Sequence, residues 1–139
     1  MTAAHEGTCL CGAVTAKILT PQRHFGACHC ETCRTWTGGP LLAMDCKNEV
    51  SFTGEENISV FSSSEWAERG FCKHCGTNLF YRLKANQHYS IPPGLFKDLG
   101  DIQFSDQIFI DSKPDYYQFA NETRNMTGEE LFAAYEQSS

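Results

Sequence analysis

Hydrophobic and polar positions alternate over short stretches through most of this chain. Alternation with a period of two places apolar side chains on one face of a β-strand and polar side chains on the other. The pattern predicts strands over seven stretches separated by Gly, Asn and charged residues: 12–18, 40–44, 50–53, 58–62, 77–83, 89–91 and 107–110. Many short strands with turn-forming residues between them are typical of a mainly β domain.

The period of the pattern changes near the C-terminus. Thr127 and Glu130 have the spacing of a capping box, in which each side chain binds the backbone N–H of the other residue. The apolar positions that follow have helical spacing: Leu131, Phe132 and Tyr135. We therefore predict a short C-terminal helix that packs on the sheet as a lid. The stretch 31–36 also allows a short helix.

Length and composition predict one compact domain over residues 1–139. A chain of 139 residues without an internal repeat fits one domain, and 41% hydrophobic residues with 20% charged residues are enough for a core. The chain contains no apolar stretch of the roughly 20 residues that span a bilayer. Its first seven residues do not have the pattern of a secretory signal. These features predict a soluble, cytoplasmic protein without a membrane partner.

The net charge narrows the class of ligand. A formal charge of −6 argues against a nucleic-acid partner, because binding to a phosphate backbone requires clusters of basic residues. A few local cations can still hold a small anionic ligand. The sequence contains no feature that predicts an oligomeric state.

The eight cysteines are the most informative residues. In a secreted chain they would form disulfides, whereas clustered cysteines in the cytoplasm more often hold a metal, and the absence of a signal favours metal. Seven of them fall into three groups: Cys9 and Cys11, then Cys28, Cys30 and Cys33, then Cys72 and Cys75. Cys46 stands alone.

Two of these groups are spaced as the halves of a structural zinc site. Zinc is held tetrahedrally by thiolates about 2.3 Å away, and tight turns present pairs of thiolates on one side. The pairs Cys9/Cys11 and Cys72/Cys75 fit this role, and a glycine that can adopt positive φ follows each pair. Such a site would tie an early strand to a late one across a long loop.

The remaining group, Cys28, Cys30 and Cys33, can supply three ligands from one short loop. A metal with three protein ligands keeps an open position, which is typical of a catalytic or ligand-binding site. Thiolate ligands select zinc or another soft metal over magnesium or calcium. The pattern thus predicts two zinc ions per chain, and it leaves open whether the second one stays bound in the resting protein.

Other interpretations of the cysteines remain open at this point. Cys72 and Cys75 alone could form a redox pair, although no thioredoxin-like strand–helix frame surrounds them. The group of three could hold an iron–sulfur cluster with Cys46 as the fourth ligand. Cys46 follows an apolar run, so burial in the core is the better interpretation for it.

Four stretches together resemble the glutathione-dependent formaldehyde-activating enzyme family, also called the Gfa or centromere protein V family. They are 7–12 (GTCLCG), 28–34 (CHCETCR), 71–79 (FCKHCGTNL) and 109–114 (FIDSKP), the last followed by aromatic residues. The resemblance covers about residues 5–118, which we take as the core of the domain. Order and spacing together make the resemblance specific, whereas each motif alone is weak.

The resemblance implies an Mss4-like fold of folded β-sheets stapled by zinc. It implies a structural zinc on Cys9, Cys11, Cys72 and Cys75, and a second zinc at an active site formed by Cys28, Cys30 and Cys33. It also implies the activity of a carbon–sulfur lyase, which condenses formaldehyde with glutathione to S-(hydroxymethyl)glutathione. The chain looks shorter than that enzyme, so the alternative function is a non-catalytic, zinc-stabilised module that binds a thiol or a metal.

Three residues near the group of three cysteines are candidates for further roles. Arg34 could bind a carboxylate of glutathione or a similar small thiol, or it could bond carbonyl groups of its own loop. His29 could be a general base or a spare ligand, although alternation along an extended loop points it away from the metal. Trp36 could line a pocket or pack in the core.

Overall fold

The computed structural model describes residues 4–138, with side chains up to residue 135. The described residues form eleven strands and two α-helices, which confirms the predicted mainly β fold. The strands are β1 (His5–Thr8), β2 (Thr15–Ile18), β3 (His24–Cys28), β4 (Leu41–Lys47), β5 (Val50–Thr53), β6 (Ile58–Ser62), β7 (Ala67–Cys72), β8 (Asn78–Leu83), β9 (Tyr89–Ile91), β10 (Gln103–Ile108) and β11 (Arg124–Met126). The helices are α1 (Glu31–Thr37) and α2 (Gly128–Ser138).

The chain divides into two compact units, and the first comprises residues 4–23 and 44–102. It contains an antiparallel sheet of β1, β2 and β5. It also contains an antiparallel series in which the second half of β4 pairs with β9, followed by β8, β7 and β6. Its core consists of fully buried apolar side chains from both sheets, among them Ile18, Met44, Leu79, Phe80 and Ile91.

The second unit comprises residues 24–43 and 103–138 and is built around β3. On one side β3 pairs antiparallel with the first half of β4, and on the other it pairs parallel with β10, which in turn pairs parallel with β11. The rings of Phe25 and Phe104 stack across the parallel pair at 5.1 Å, and Phe119 packs edge-on against Phe104. This packing brings the loop after β3 beside residues that are far away in sequence.

The strand predictions hold where alternation is strict and fail where turns intervene. The stretches 50–53, 58–62 and 89–91 are confirmed, and 77–83 and 40–44 are confirmed with shifted ends. The stretch 12–18 becomes a strand only from Thr15, because a turn at Gly12 precedes it. The stretch 107–110 lies too late, because Phe109 adopts a left-handed φ of 54° and ends β10.

Four strands were not predicted: β1, β3, β7 and β11. Gly, His, Arg, Glu and Asn interrupt their alternation, so the pattern alone does not distinguish them from loops. One of the polar side chains, that of Arg69 in β7, proves to be buried. Pairing with neighbouring strands therefore decides these segments, which is the usual limit of local β-propensity.

The predicted C-terminal helix is confirmed as α2, and its capping box forms. Thr127 Oγ1 accepts from the Glu130 N–H at 3.1 Å, and Glu130 Oε1 accepts from the Thr127 N–H at 2.9 Å. Phe132 packs edge-on against Phe109 but remains 45% exposed, and Tyr135 is 55% exposed. The helix therefore buries its aromatic side chains only in part, so it covers less than the predicted lid. Neither helix in the described part of the chain is long and apolar enough to cross a membrane.

Gly54 should tolerate no side chain, because it has a φ of 84° and an added Cβ would overlap the Ala13 carbonyl oxygen. We expect Gly54→Ala to lower the free energy of unfolding by about 2 kcal/mol or more. Denaturant unfolding followed by tryptophan fluorescence measures this change. Gly94→Ala is the matched control, since an added Cβ there meets nothing within 4 Å. Equal stability of the two variants would contradict the conclusion that position 54 has no room for a side chain.

Candidate metal centres

The structure brings Cys9, Cys11, Cys72 and Cys75 together in what we call the four-cysteine cluster. The first half of this cluster is a tight turn between β1 and β2. The Cys9 N–H donates to the Val14 carbonyl, and the Gly12 N–H donates to the Cys9 carbonyl. Gly12 adopts the expected positive φ, here 84°. The Val14 N–H also points at Cys9 Sγ at 3.3 Å, which is how a backbone donor stabilises a thiolate. Cys9 is buried and Cys11 is exposed.

The second half of this cluster is the turn after β7. Cys72 is the last residue of β7, and its carbonyl accepts from the Gly76 N–H at 2.8 Å. Gly76 has a φ of 77°, as its position after the Cys-x-x-Cys pair suggested. The Thr77 hydroxyl lies 3.2 Å from Cys75 Sγ and accepts from the Leu10 N–H at 3.1 Å. This hydroxyl therefore joins the two halves directly.

The sulfur spacing in this cluster fits a tetrahedral zinc ion. Ligands about 2.3 Å from a tetrahedral metal lie about 3.8 Å from one another. Cys11 Sγ lies 3.7 Å from both Cys9 Sγ and Cys72 Sγ. The four sulfurs, including that of Cys75, all lie within 4.8 Å of one another. The donor set is therefore suited to a closed structural zinc site.

The thiols of this cluster differ in acidity when no metal is bound. Hydrogen bonds from the side chain and backbone of Thr77 lower the pKa of Cys75 to about 5. At Cys11 the Ala13 N–H favours the thiolate, but desolvation and the neighbouring sulfurs outweigh it and raise the pKa to about 12. The thiolate of Cys75 is thus favoured at neutral pH, whereas binding of a metal by Cys11 must displace a proton.

The three-cysteine cluster lies on the loop that leads from β3 into α1. Cys28 is the last residue of β3, and Cys30 is the N-cap residue of α1. Cys30 Sγ accepts from the Cys33 N–H at 3.4 Å, so the thiol takes the place of the usual serine or aspartate cap. Cys33 follows in the first turn and is 2% exposed. The strand end, the cap and the helical turn together bring the three side chains to one point.

This cluster also fits a metal, but with one ligand fewer. The three sulfurs lie within 4.8 Å of one another, and no fourth Cys, His, Asp or Glu of the described residues joins them. Hydrogen bonds to the sulfurs of Cys30 and Cys33, together with burial, raise the pKa of Cys28 above its ordinary range. A cation bound at this cluster would therefore favour the three adjacent thiolates. A tetrahedral metal there would keep one position for a further ligand.

The structure places His29 away from the role of a spare ligand. Its side chain is fully buried, with Nε2 2.7 Å from Gln107 Oε1 and Nδ1 2.7 Å from the Tyr117 hydroxyl. Burial lowers its pKa below the ordinary value for histidine, which favours the neutral ring. Both ring nitrogens are thus engaged by the protein.

Arg34 bonds a carbonyl group of its own loop, and Cys46 lies in the core. Arg34 Nε donates to the His29 carbonyl at 3.0 Å, so part of its guanidinium holds the loop that carries the cysteines. Cys46 is 2% exposed in β4, which confirms its assignment to the core, and burial raises its pKa to about 12. Cys46 belongs to neither cluster. Trp36 is half-buried in α1.

The sequence did not single out Gln107, Tyr117 or Lys113, which surround the buried His29 and its loop. Tyr117 lies in the aromatic stretch after residue 114, so a family pattern offered a weak signal for it. Gln107 and Lys113 also line a cavity of about 390 Å³ in the second unit. A larger cavity of about 820 Å³ in the first unit lies beside Cys9 and Cys11.

Comparison with known proteins shows the family to which the chain belongs. The family model of the glutathione-dependent formaldehyde-activating enzyme matches residues 4–112. An uncharacterised lyase of Schizosaccharomyces pombe is 41% identical over 128 residues, which cover 91% of this chain and 93% of the yeast protein. A provisionally named glutathione-dependent formaldehyde-activating enzyme of Halomonas elongata is 30% identical over 84 residues, or 54% of each chain.

One solved structure resembles the fold. The crystal structure of a Rhodobacter sphaeroides protein has a TM-score of 0.53 and 24% sequence identity, and covers 72% of this chain and 99% of that protein. At this identity the likeness concerns the fold alone. The family match covers most of the chain, and the chain belongs to the family of the glutathione-dependent formaldehyde-activating enzyme.

The two clusters should lose zinc at different pH values. Protons compete with zinc for each thiolate, and the three-cysteine cluster would hold zinc with one thiolate fewer than the four-cysteine cluster, in which donors from Val14 and Thr77 also stabilise the sulfurs of Cys9 and Cys75. As the pH is lowered from 8, we expect one zinc per chain to dissociate first and the second only under more acidic conditions. Gel filtration at each pH, followed by elemental analysis, measures the retained zinc.

Cys30→Ser serves as the control for this experiment, because it should remove the early step and leave the late one. Simultaneous loss of both zinc ions from the unmodified protein would contradict the assignment of two distinct centres.

Proposed function

We propose that this chain is a zinc-dependent enzyme that acts on adducts of glutathione, or a similar small thiol, with formaldehyde or a related aldehyde. The reaction is of the S-(hydroxymethyl)glutathione synthase type, a carbon–sulfur lyase reaction. One observation carries the proposal: the chain contains, in addition to its four-cysteine cluster, a separate cluster of three cysteines, Cys28, Cys30 and Cys33, which would leave one position of a zinc ion open. Membership of the family supports the choice of substrates.

The proposed reaction forms one bond and moves one proton. The thiol sulfur attacks the aldehyde carbon, a carbon–sulfur bond forms, and the proton of the thiol ends on the former carbonyl oxygen. A zinc ion at the open site would supply a cation that lowers the pKa of the substrate thiol, so that a thiolate is present at neutral pH. Holding both reactants at one place replaces a bimolecular encounter by a positioned one.

The charge of the ligand set favours thiol chemistry over activation of water. Cys28, Cys30 and Cys33 contribute three negative charges as thiolates, which exceed the two positive charges of a zinc ion. Such a site is a weak Lewis acid, and soft thiolate ligands suit the exchange of one sulfur for another. The chain therefore provides a site better suited to a thiol substrate than to hydrolysis.

Arg34 is the proposed contact for a carboxylate of glutathione. It follows Cys33 directly and is half-buried, and its Nε is engaged with the loop. A guanidinium group has five N–H donors in a planar fork, so the terminal nitrogens can grip a carboxylate while Nε holds the loop. In a chain of net charge −6 a local cation at this place would offset repulsion of an anionic substrate.

The proposal includes the wider context expected from the sequence. It treats residues 1–139 as a single zinc-binding domain that works in the cytoplasm, where its thiols stay reduced. The four-cysteine cluster has a structural role in it, with Cys9, Cys11, Cys72 and Cys75 as ligands. The alternative is a non-catalytic module that binds a thiol or a metal at the three-cysteine cluster.

Exchange at equilibrium distinguishes the enzyme from the module. In a mixture of glutathione and formaldehyde, the protein should accelerate exchange between free and hydroxymethylated glutathione, and Cys30→Ser should abolish the acceleration. Serine is a good N-cap residue, so this variant should keep α1 folded while it removes a metal ligand. NMR exchange spectroscopy measures the rate, and elemental analysis should find one zinc fewer per chain.

Cys46→Ala is the matched control, since it also removes a buried thiol but lies outside both clusters. It should retain both zinc ions and the full exchange rate. A protein that carries both zinc ions but exchanges no faster than the blank would refute the enzyme and favour the module.

The role of Arg34 is tested with two thiols. We expect Arg34→Gln to raise KM for glutathione about tenfold, because a charge-assisted hydrogen bond to a carboxylate is lost. The rate with 2-mercaptoethanol, which has no carboxylate, should change little. Equal losses with both thiols would show that Arg34 acts only by holding the loop through the His29 carbonyl.

A further inference from the structure

All four polar groups of His29 are engaged, although it lies between two cysteines of the open cluster. Its backbone N–H donates to the Ile108 carbonyl at 3.1 Å, and its own carbonyl accepts from Arg34 Nε at 3.0 Å. Its ring nitrogens meet Gln107 and Tyr117, each at 2.7 Å. The residue therefore has little freedom to rotate, and the peptide bonds on either side of it are held as well.

The hydrogen bonds on both sides of the His29 ring run in one direction, from the Tyr117 hydroxyl toward Asn125. Gln107 Nε2 donates to Thr123 Oγ1 at 2.8 Å, and Thr123 Oγ1 donates to Asn125 Oδ1 at 2.6 Å. This places the amide oxygen of Gln107 toward His29 and requires a hydrogen on Nε2 of the ring. The neutral ring then accepts at Nδ1, so the Tyr117 hydroxyl is the donor. Successive donors of one direction strengthen one another.

Tyr117 is itself held in place from a second side. Lys113 Nζ donates to the Tyr117 and Pro114 carbonyls and lies 5.2 Å from the centre of the Tyr117 ring. The rings of Tyr117 and His29 are 5.5 Å apart. Tyr117 remains partly exposed, whereas the ring that it contacts is fully buried. The Tyr117 hydroxyl is thus held in a defined position within hydrogen-bonding distance of His29 Nδ1.

We propose that Tyr117 is a positioning residue of the three-cysteine site, whose hydroxyl orients His29 and so holds Cys28 and Cys30 with their sulfurs converged before a metal binds. The inference rests on the proposed metal site within the proposed function, but not on the identity of the substrate. Alternation along the backbone points the His29 ring to one side and the two neighbouring thiols to the other. Clamping the ring therefore fixes the directions of both thiols.

In this role the hydroxyl acts through the position that it gives to the His29 ring. Without its donor, Nδ1 of the buried ring loses a hydrogen bond, and the ring and its peptide can adopt other orientations. Binding of a metal would then have to order the three sulfurs, and this would lower the affinity for the metal. Partners that orient a metal site from outside the ligand set typically change affinity 10- to 100-fold.

Tyr117→Phe tests the proposal with the removal of a single oxygen atom. In protein with zinc at the four-cysteine cluster, we expect the dissociation constant for Co²⁺ at the three-cysteine cluster to rise about tenfold or more. The thiolate-to-cobalt charge-transfer bands should shift, because the angles between the sulfurs change. Tyr116→Phe is the matched control: Tyr116 is the adjacent residue, is 74% exposed, and should leave affinity and spectrum unchanged.

A second variant tests the hydrogen bond at the other nitrogen of the His29 ring. Gln107→Leu removes the acceptor for His29 Nε2 and should weaken Co²⁺ binding in the same direction as Tyr117→Phe. If both variants lowered only the melting temperature and left the Co²⁺ affinity and spectrum unchanged, the network would be purely structural and the proposal would be overturned. An equal loss of affinity in Tyr116→Phe would overturn it as well.

The outcome can be separated from that of the proposed function. Cobalt affinity is measured without any substrate, so a loss in Tyr117→Phe supports the positioning role even if the unmodified protein exchanges no glutathione. Conversely, a normal affinity in Tyr117→Phe overturns the positioning role even if glutathione exchange is rapid.

Discussion

The convergence of thiol sulfurs at the spacing that a tetrahedral metal demands is the constraint on which both units depend. In the first unit this convergence joins Cys11 to Cys72, which are 61 positions apart, with sulfurs 3.7 Å from each other. A metal bound there would bridge this long loop and add its binding energy to folding. The two glycine turns and the Thr77 hydroxyl are local devices that make this convergence possible.

In both clusters several thiolates lie close together and repel one another, and the two clusters differ in how this repulsion is offset. In the first, backbone and hydroxyl donors stabilise thiolates at Cys9 and Cys75, and four sulfurs lie close enough together to surround a tetrahedral metal. In the second, Cys30 takes part in capping a helix, while the sulfurs of Cys30 and Cys33 oppose ionisation of Cys28. The first arrangement is closed and suited to stability. The second leaves a position open and is suited to exchange of a ligand, which is the physical basis of the proposed function.

The environment of the open cluster is built mainly from buried polar contacts. His29, flanked by two of its cysteines, is as buried as any apolar residue of the core, yet each of its polar groups has a partner. A buried polar group without a partner costs about 1–3 kcal/mol, so a satisfied network of this kind specifies one arrangement of the loop. The loop that carries Cys28, Cys30 and Cys33 is therefore held by hydrogen bonds through His29.

The amino-acid sequence by itself determined the features that depend on neighbouring residues: the grouping of the cysteines, the turns at Gly12 and Gly76, the capping box of α2 and most of the alternating strands. Spacing and φ preferences act over a few residues, so a linear pattern records them. Only the tertiary structure decided the parallel pairing of β3 with β10, the contacts of His29 with Gln107 and Tyr117, and the bond of Arg34 to its own loop. These contacts join residues up to 88 positions apart, and their partners are selected by burial and hydrogen bonding in the folded chain, which no local pattern encodes.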